Sequence, residues 1–213
     1  MYLEVSDKMI ERFQEIISRY VPENALYYCI NTWKTHPFNF KVTRNRKSKV
    51  GDYRFNKSTG NHEITVNGDL NPYAFLITYL HEVAHLYHYK NYGNNQPPHG
   101  RIWKKLFQEL MIPVLQENIF PPDILQQLIL HMKNPKASSQ SDAMLLKLLR
   151  KYDQDLDQTD TYLEELAEGE SFDLNGRSYI KLKQRRTRSL CEEKKSGRKY
   201  LISESTRVIK SKT

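Results

Sequence analysis

The sequence predicts an α+β fold, with helices packed on a small, mostly antiparallel sheet and a small, basic, β-rich module at the C-terminus. Apolar residues recur at helical spacing in several segments, while three short segments between residues 38 and 67 alternate in period two. Charge also changes sharply, because residues 177–213 hold 13 Lys and Arg against 3 Asp and Glu. We therefore predict a first domain at residues 1–152, an acidic linker at 153–173 and the basic module at 174–213.

The first domain is expected to begin with an amphipathic helix and a three-stranded sheet. Asp7 is the predicted cap of this helix, which should end before Pro22. The segments FNFKVT, DYRFN and HEITVN are the predicted strands, and KSTG between the last two indicates a hairpin turn.

A long helix should follow the sheet. Asn71 provides an N-cap, Pro72 suits the first helical position, and Gly93 marks the expected end. The predicted core stripe of this helix consists of Leu76, Leu80, Val83 and Tyr87. The next helix should begin near His99 and carry the apolar residues Ile102, Trp103, Leu106, Phe107 and Leu110. Two more are predicted at PPDILQQLILHM and SDAMLLKLLRKY, the second with a serine cap.

The C-terminal module is predicted to contain short strands at RSYIKLKQ, RSLCE and RKYLIS, with a turn at KKSG. Its expected core consists of Tyr179, Ile180, Leu182, Leu190, Tyr200, Leu201 and Ile202. A cluster of basic residues consists of Arg185, Arg186, Arg188, Lys194, Lys195, Arg198 and Lys199. Because Tyr179 and Tyr200 are interleaved with this cluster, we expect phosphate contacts and base stacking with DNA, without sequence specificity. The alternative is a solvated, charged face with no partner.

Several classes of protein are excluded by simpler features. No run approaches the roughly 18 apolar residues of a membrane span, and no export signal is evident at the N-terminus. Cys29 and Cys191 are the two cysteines, too few for a disulfide scaffold or a four-cysteine zinc module. We expect a cytoplasmic protein that is a monomer and has no membrane partner.

The segment HEVAH at residues 81–85 carries the strongest chemical signal. His81 and His85 lie one helical turn apart, so their imidazoles can converge on one ion on the side opposite the core stripe. Glu82 follows the first histidine directly and can act as a general base on water without occupying a coordination position. A solvated histidine pair is the alternative, but the apolar surroundings make an uncompensated glutamate costly.

A catalytic zinc site usually has three protein ligands, so a third must come from elsewhere. His88 shares the face of the pair but lies roughly 10 Å along the helix axis from His81, which disfavours it. His99 follows the loop NYGNNQPP, which can reverse the chain, and we predict it to be the third ligand. None of the remaining histidines has ligand spacing to another segment, so ordinary surface or satisfied core residues are expected at His36, His62, His88 and His131.

The segments YLHEVAHLYH, HGRIW and KVGDYRF together resemble the SprT-like zinc metalloproteases, which include Spartan-type enzymes that act on proteins crosslinked to DNA. The resemblance covers roughly residues 5 to 115. It implies a minimal zincin-like core with one catalytic zinc ion bound by His81, His85 and His99, and with Glu82 as general base. Many members end in a four-cysteine zinc ribbon, whereas this tail has Cys191 alone and resembles a ribbon without metal.

Two functions follow as hypotheses from this resemblance and the basic tail. The first is a zinc-dependent endopeptidase that cleaves DNA-associated or DNA-crosslinked proteins and is stimulated by DNA, as in DNA–protein crosslink repair. The second is a DNA-binding protein whose zincin core is structural or regulatory. A zinc hydrolase that acts on small peptides or cell-wall fragments is disfavoured by the basic tail and by the missing export signal.

Overall fold

The computed structural model describes residues 6–44, 46, 49–136, 142–153 and 160–211. The chain divides into two compact units, Met1–Asp153 and Gln154–Thr213. The helices of the first unit are α1 (Asp7–Ile17), α2 (Leu26–Thr35), α3 (Pro72–Tyr92), α4 (Arg101–Met111), α5 (Pro122–Met132) and α6 (Ala143–Arg150). Its strands are β1 (Asn39–Thr43), β2 (Gly51–Asn56) and β3 (Asn61–Asn67). Within the described ranges, no helix is long and apolar enough to cross a membrane.

The sheet of the first unit is mixed, so the prediction of a mostly antiparallel sheet was wrong. Its strand order is β1-β3-β2. Strand β3 pairs antiparallel with β2 through the predicted turn, but it pairs parallel with β1. Strand β3 lies between β1 and β2 although it follows both in sequence, an order that strand periodicity does not reveal. This order leaves β2 at one edge of the sheet.

Helix α2 was not predicted, although it supplies part of the core. Its tyrosine, cysteine, threonine and tryptophan residues have modest helix propensity, so tertiary packing stabilises the helix. Trp33 of α2 stacks on Phe13 of α1 at 4.8 Å between ring centroids, and the Trp33 indole N–H donates to the Phe38 carbonyl. Asp7 was predicted as the cap of α1, but Ser6 occupies the N-cap position and Asp7 lies in the first turn.

Helix α3 runs through the centre of the first unit and follows the prediction closely. The Asn71 side chain accepts a hydrogen bond from the Ala74 backbone N–H at 3.0 Å, and Gly93 ends the helix with φ of 61°. The buried surface is wider than the predicted stripe, because the sheet and the neighbouring helices cover α3 on several sides. Its buried apolar residues are Phe75, Leu76, Ile77, Tyr79, Leu80, Val83, Ala84 and Leu86, while Tyr87 is half-buried.

Helix α6 begins at an aspartate rather than at the predicted serine. Asp142 is the N-cap, and its side chain accepts from the Leu145 backbone N–H at 3.2 Å. The predicted cap, Ser141, lies outside the described residues. Asp142 also bonds Nδ1 of the buried His131 at 2.9 Å, which connects the end of α5 to the start of α6.

The second unit is a six-stranded sheet with the order β4-β9-β5-β6-β7-β8. Its strands are β4 (Asp160–Tyr162), β5 (Ser171–Leu174), β6 (Arg177–Gln184), β7 (Arg188–Glu193), β8 (Lys199–Ser203) and β9 (Arg207–Lys210). The prediction of an acidic linker at 153–173 was therefore wrong for residues 160–173. These residues contain β4, a short 3-10 helix at Leu163–Glu165 and most of β5, all of which belong to the sheet unit.

The core of the second unit includes Tyr179, as predicted, but the other apolar residues predicted for β6 and β7, Ile180, Leu182 and Leu190, are only partly buried. Lys181 and Ser189 point inward, and Leu201 is 47% exposed. A register shift between Lys181 and Lys183 interrupts the alternation, which the apolar pattern could not reveal. The buried apolar residues are Leu163, Leu166, Phe172, Tyr179, Cys191 and Val208.

Lys181 is a buried cation that connects the 3-10 helix to the sheet. Its side chain is 1% exposed, and Nζ donates to the carbonyls of Leu163 at 2.7 Å and Leu166 at 2.9 Å. The same nitrogen lies 3.1 Å from the Glu204 carboxylate, which also accepts from the Ser189 hydroxyl. The ammonium and the carboxylate therefore compensate each other in the core.

Replacement of Lys181 by methionine should destabilise the second unit by about 3 kcal/mol, because it leaves the buried Glu204 carboxylate without its cation. The double variant Lys181→Met/Glu204→Gln should recover part of this loss. Lys183→Met, on the exposed part of the same strand, should change the free energy of unfolding by less than about 0.5 kcal/mol. Urea unfolding with hydrogen exchange of residues 177–193 measures these effects. Equal stability of Lys181→Met and the wild type would contradict the role of the pair.

Candidate metal centre

Three histidines meet at one point of the first unit, as the sequence predicted. Nε2 of His85 lies 3.2 Å from Nε2 of His81 and 2.9 Å from Nε2 of His99, and the third side of this triangle is 3.3 Å. These are the residues that form the candidate metal site within the described chain. No other residue type contributes to the cluster.

Two of the histidines come from α3 and the third from the loop that precedes α4. His81 and His85 are one turn apart, so their side chains project from the same face of α3. His99 has φ of 61°, a left-handed conformation that is uncommon outside glycine and asparagine. The next residue is Gly100, where a Cβ would lie 3.0 Å from the Pro97 carbonyl oxygen. Glycine at position 100 therefore suits the tight turn that directs His99 towards α3.

The triangle cannot be satisfied by hydrogen bonds among the three imidazoles. Each Nε2 carries either one proton or one lone pair, so at least one of the three close contacts joins two donors or two acceptors. A cation removes this conflict because all three nitrogens can then be acceptors. A tetrahedral zinc ion with Zn–N distances of about 2.0–2.1 Å places its nitrogen ligands about 3.3–3.4 Å apart. The separations of 3.2 and 3.3 Å are close to this spacing, whereas the His85–His99 separation of 2.9 Å is shorter.

Burial keeps these imidazoles neutral, which is the form that binds a metal. Loss of solvent lowers the pKa of His81 to about 2 and that of His85 to about 3, and the neighbouring histidines contribute further. Burial also lowers the pKa of His99. Protons therefore compete weakly with a cation for the three nitrogens.

Trp103 of α4 encloses the site from one side. Its ring centroid lies 4.6 Å from that of His81, 5.1 Å from His85 and 4.6 Å from His99. Phe107, one turn later, stacks on Trp103 at 5.1 Å. The Trp103 indole N–H is buried and has no hydrogen-bond partner in the part of the chain that the structure describes, so the ring provides an apolar wall rather than a polar contact. The sequence placed Trp103 on the core face of α4 but did not predict its contact with all three histidines.

Glu82 is buried beside the histidines and is held by strand β2. Burial raises the pKa of its carboxyl to about 8, and the nearby Asp52 adds to this rise. The backbone N–H of Tyr53 donates a hydrogen bond to the carboxylate and opposes the increase. A divalent cation in the histidine site would also favour the charged form, since opposite charge stabilises a carboxylate.

Gly51 of β2 makes room for the Glu82 side chain. A Cβ at position 51 would lie 2.5 Å from Oε1 of Glu82 and 2.6 Å from Cγ2 of Thr78. Any larger residue would therefore displace the carboxylate or the strand. The segment KVGDYRF carried no sequence signal for this contact, because the closeness of β2 to α3 depends on the tertiary fold.

The remaining histidines lie outside the triangle. His62 Nδ1 bonds the Tyr53 hydroxyl at 2.9 Å, and His36 Nδ1 lies 3.4 Å from Lys90 Nζ. His131 bonds Asp142, as described above, and is a satisfied core histidine. His88 is 5% exposed, and its Nε2 has no hydrogen-bond partner among the described residues, so the prediction of a surface or satisfied core histidine was wrong for it.

The predicted basic cluster divides into two groups in the second unit. Arg185, Arg186 and Arg188 lie at and beside the turn between β6 and β7, whereas Lys194, Lys195, Arg198 and Lys199 lie at and beside the next turn. The two turns are at opposite ends of β7, about 20 Å apart at the usual rise per strand residue. The expected stacking role of Tyr179 is wrong, because it is 7% exposed and stacks on Phe172.

The part of the chain that contains the histidine site matches a known protein family. The sequence model of the SprT-like family matches residues 11–120, a range that contains α2 to α4, the sheet and all three histidines. The chain therefore belongs to the SprT-like family, a family of zinc metalloproteases. No curated protein and no solved structure gives a significant match to the chain.

Acid should destabilise the metal-free protein through these histidines. Their pKa values in the folded state, about 2 for His81 and about 3 for His85, lie below the ordinary 6.5 expected after unfolding. The unfolded chain therefore takes up protons at these two positions first, and their contribution to the free energy of unfolding falls as the pH drops from 6.5 towards 3. Glu82, with its pKa raised to about 8, contributes in the opposite direction as the pH falls from 8 towards its ordinary value of 4.5.

Urea unfolding in the presence of a chelator, repeated across this pH range, measures the slope. The variant His81→Gln/His85→Gln should flatten it because glutamine does not titrate. His36→Gln, a half-buried histidine outside the cluster, should leave most of the slope in place. An unchanged slope in the double variant would contradict the assignment of the shifted groups.

Proposed function

We propose that this protein is a zinc-dependent metalloendopeptidase that cleaves DNA-associated or DNA-crosslinked proteins. The observation that carries the proposal is the triangle of three Nε2 atoms, with Glu82 next to the first of them in the helix. A structural metal site needs no buried carboxylate beside its ligands, whereas hydrolysis needs a base there. The alternative, a DNA-binding protein with a structural zincin core, leaves Glu82 without a role.

The zinc ion would be held by His81, His85 and His99, because their Nε2 atoms converge and their imidazoles are neutral. A zinc ion bound there would polarise a carbonyl and lower the pKa of a water molecule to about 7. Three protein ligands leave one position open in a tetrahedral site, which is the arrangement of catalytic rather than structural zinc.

Glu82 is the group that moves protons in this proposal. Its carboxylate accepts a proton from the attacking water and later donates it to the leaving amine of the cleaved peptide. The Tyr53 backbone N–H fixes one side of the carboxylate, and the space beside Gly51 allows its close approach to β2. A raised pKa suits both steps, because a base that is too weak would not take the proton.

Strand β2 is the proposed binding surface for the substrate backbone. It lies at the edge of the sheet and packs against α3, beside Glu82. Its outer edge has no partner strand within the described residues. An extended polypeptide can add to such an edge by main-chain hydrogen bonds, which would place it beside the histidines irrespective of side-chain sequence.

The charge of the second unit supports DNA as the partner that recruits substrates. Two basic groups about 20 Å apart can both contact the backbone of one nucleic acid, and such contacts carry no sequence information. Binding to DNA would concentrate the peptidase on proteins attached to the same molecule. Stimulation of proteolysis by DNA and a role in DNA–protein crosslink repair follow from this proposal.

Metal content and the Glu82→Gln variant test the proposed peptidase directly. The wild type should contain about one zinc ion per chain and cleave a DNA-binding protein. Glu82→Gln should keep the zinc but lose at least about 100-fold in rate, because the general base is removed. Metal analysis and gel-based cleavage assays with and without DNA provide the measurements.

Two histidine variants on the same helix provide the matched control for the metal. His85→Gln should lose zinc, whereas His88→Gln should retain it. Equal rates for wild type and Glu82→Gln would exclude the assigned role of Glu82 and favour the alternative function. Equal rates with and without DNA would exclude stimulation by DNA and leave the peptidase in place.

Substitution of either basic group should weaken DNA binding and make the affinity less dependent on salt concentration. The triple glutamine variant of Arg185, Arg186 and Arg188 should lower the slope of log K against log salt by about 0.9 for each lost phosphate contact. The corresponding variant of Lys194, Lys195 and Arg198 should behave similarly. Fluorescence anisotropy with a labelled duplex at several salt concentrations measures the slope.

A control variant with the same loss of charge is Lys8→Gln/Lys34→Gln/Lys57→Gln, whose positions are exposed in the first unit. It should leave the slope nearly unchanged. If it weakens binding as much as the two triple variants do, net charge rather than the second unit determines DNA affinity.

A further inference from the structure

A cleft of about 540 Å³ opens beside His99 on the surface of the first unit. One wall is the exposed face of α4 and the other is the segment that follows α5. Lys104 Nζ donates to Asn134 Oδ1 at 2.7 Å, and Gln108 Nε2 donates to the Met132 carbonyl at 2.6 Å. These two hydrogen bonds connect the walls, so the cleft has a defined shape.

The cleft is lined by positive charge and contains no carboxylate among its lining residues. Arg101, Lys104 and Lys105 recur at helical spacing on one face of α4, and Lys133 faces them from the other wall. Lys105 lies 3.8 Å from Glu109, an exposed and weak pair. Arg101 and Lys133 form no ion pair with any part of the chain that the structure describes.

Such a lining selects an anion. Like charges held around one concave surface focus the potential and raise the local concentration of negatively charged ligands. Helix α4 adds to this field, because its positive N-terminal end starts at Gly100, which has no side chain to cap the first-turn N–H groups. A carboxylate in the cleft would reduce the repulsion among the four cations and could bond several of them.

The position and size of the cleft favour acidic side chains of a polypeptide over nucleic acid. His99 belongs both to the cleft lining and to the histidine triangle, so the ligand in the cleft lies next to the site of bond cleavage. A volume of about 540 Å³ suits a few amino-acid residues and is too small to enclose a nucleic acid duplex. The main-chain contacts proposed for β2 do not depend on the substrate sequence, so any preference among substrates must come from another surface such as this cleft.

We infer that this cleft is a substrate subsite that binds Asp or Glu side chains flanking the cleaved bond, on the side of the site where His99 lies. The inference rests on the proposed peptidase function and adds a preference for acidic polypeptide segments to it. Arg101 and Lys133 are the specificity residues, while Lys104 and Asn134 hold the walls in place.

Peptide binding to the full-length Glu82→Gln protein tests the subsite without cleavage. Two fluorescein-labelled peptides of equal length are compared by anisotropy at low ionic strength, one rich in Asp and Glu and the other with every acid replaced by its amide. The acidic peptide should bind about tenfold more tightly. Addition of Arg101→Gln/Lys133→Gln should reduce this ratio to less than about threefold. The control Lys8→Gln/Arg12→Gln removes two exposed charges elsewhere in the first unit and should preserve the ratio.

The outcomes separate the subsite from the peptidase. If the Arg101→Gln/Lys133→Gln substitutions leave the ratio of acidic to amide peptide affinity unchanged, the subsite is overturned. The same holds if these substitutions weaken only the binding of a labelled oligonucleotide. Active wild-type protein that cleaves acidic and amide substrates equally also overturns it and leaves the peptidase standing. A cleft-dependent ratio in a protein whose wild type cleaves neither peptide, with or without DNA, rejects the peptidase and the substrate role of the cleft, which then only binds acidic polypeptides.

Discussion

The partial burial of three imidazoles and the burial of one carboxylate beside a single turn of α3 are the constraint on which the first unit depends. Polar groups removed from water destabilise a fold unless they find partners, and a carboxyl with a pKa near 8 shows how strongly this site lacks solvent. The surrounding elements supply some of these partners. Strand β2 donates the Tyr53 N–H and provides the space at Gly51, while the loop before α4 brings in His99. A divalent cation would complete the set, because it bonds all three nitrogens and stabilises the charged carboxylate.

More of the histidine site than of the surrounding fold could be predicted from the sequence. The spacing of His81 and His85 fixes their common face on any helix, and the tight turn before α4 leaves His99 as the histidine that can reach them. Helix α2 and the parallel pairing of β1 with β3 could not be predicted, because both depend on what surrounds them. The residues of α2 favour strands on propensity alone, and a helix forms because Trp33 and Cys29 are buried in the core. Contacts such as Gly51 with Glu82 have no local sequence signal.

The second unit shows why alternation is a weak guide when a strand carries a bulge. Tyr179, Ile180 and Leu182 were all predicted to be core residues of β6, yet Lys181 is buried beside Tyr179, while Ile180 and Leu182 are only partly buried. A one-residue change of register exchanges the faces of a strand, so a lysine in the core needs a specific reason to be there. Glu204 and two backbone carbonyls provide it. The short strands β4 and β5 were assigned to a linker because their charged sequences resemble loops, and pairing with β9 and β6 stabilises them.

Helix α4 contributes residues both to the histidine site and to the cleft beside it, because its faces carry different side chains. At helical spacing, Trp103 and Phe107 face the histidines and exclude water, which strengthens every electrostatic interaction on that side. The opposite face carries Arg101 and Lys104 into the cleft. If a divalent cation occupies the histidines, these side chains would repel it, and an anion bound between them would reduce that repulsion. In the proposed peptidase an acidic substrate would then strengthen metal binding by the same factor as the metal strengthens substrate binding.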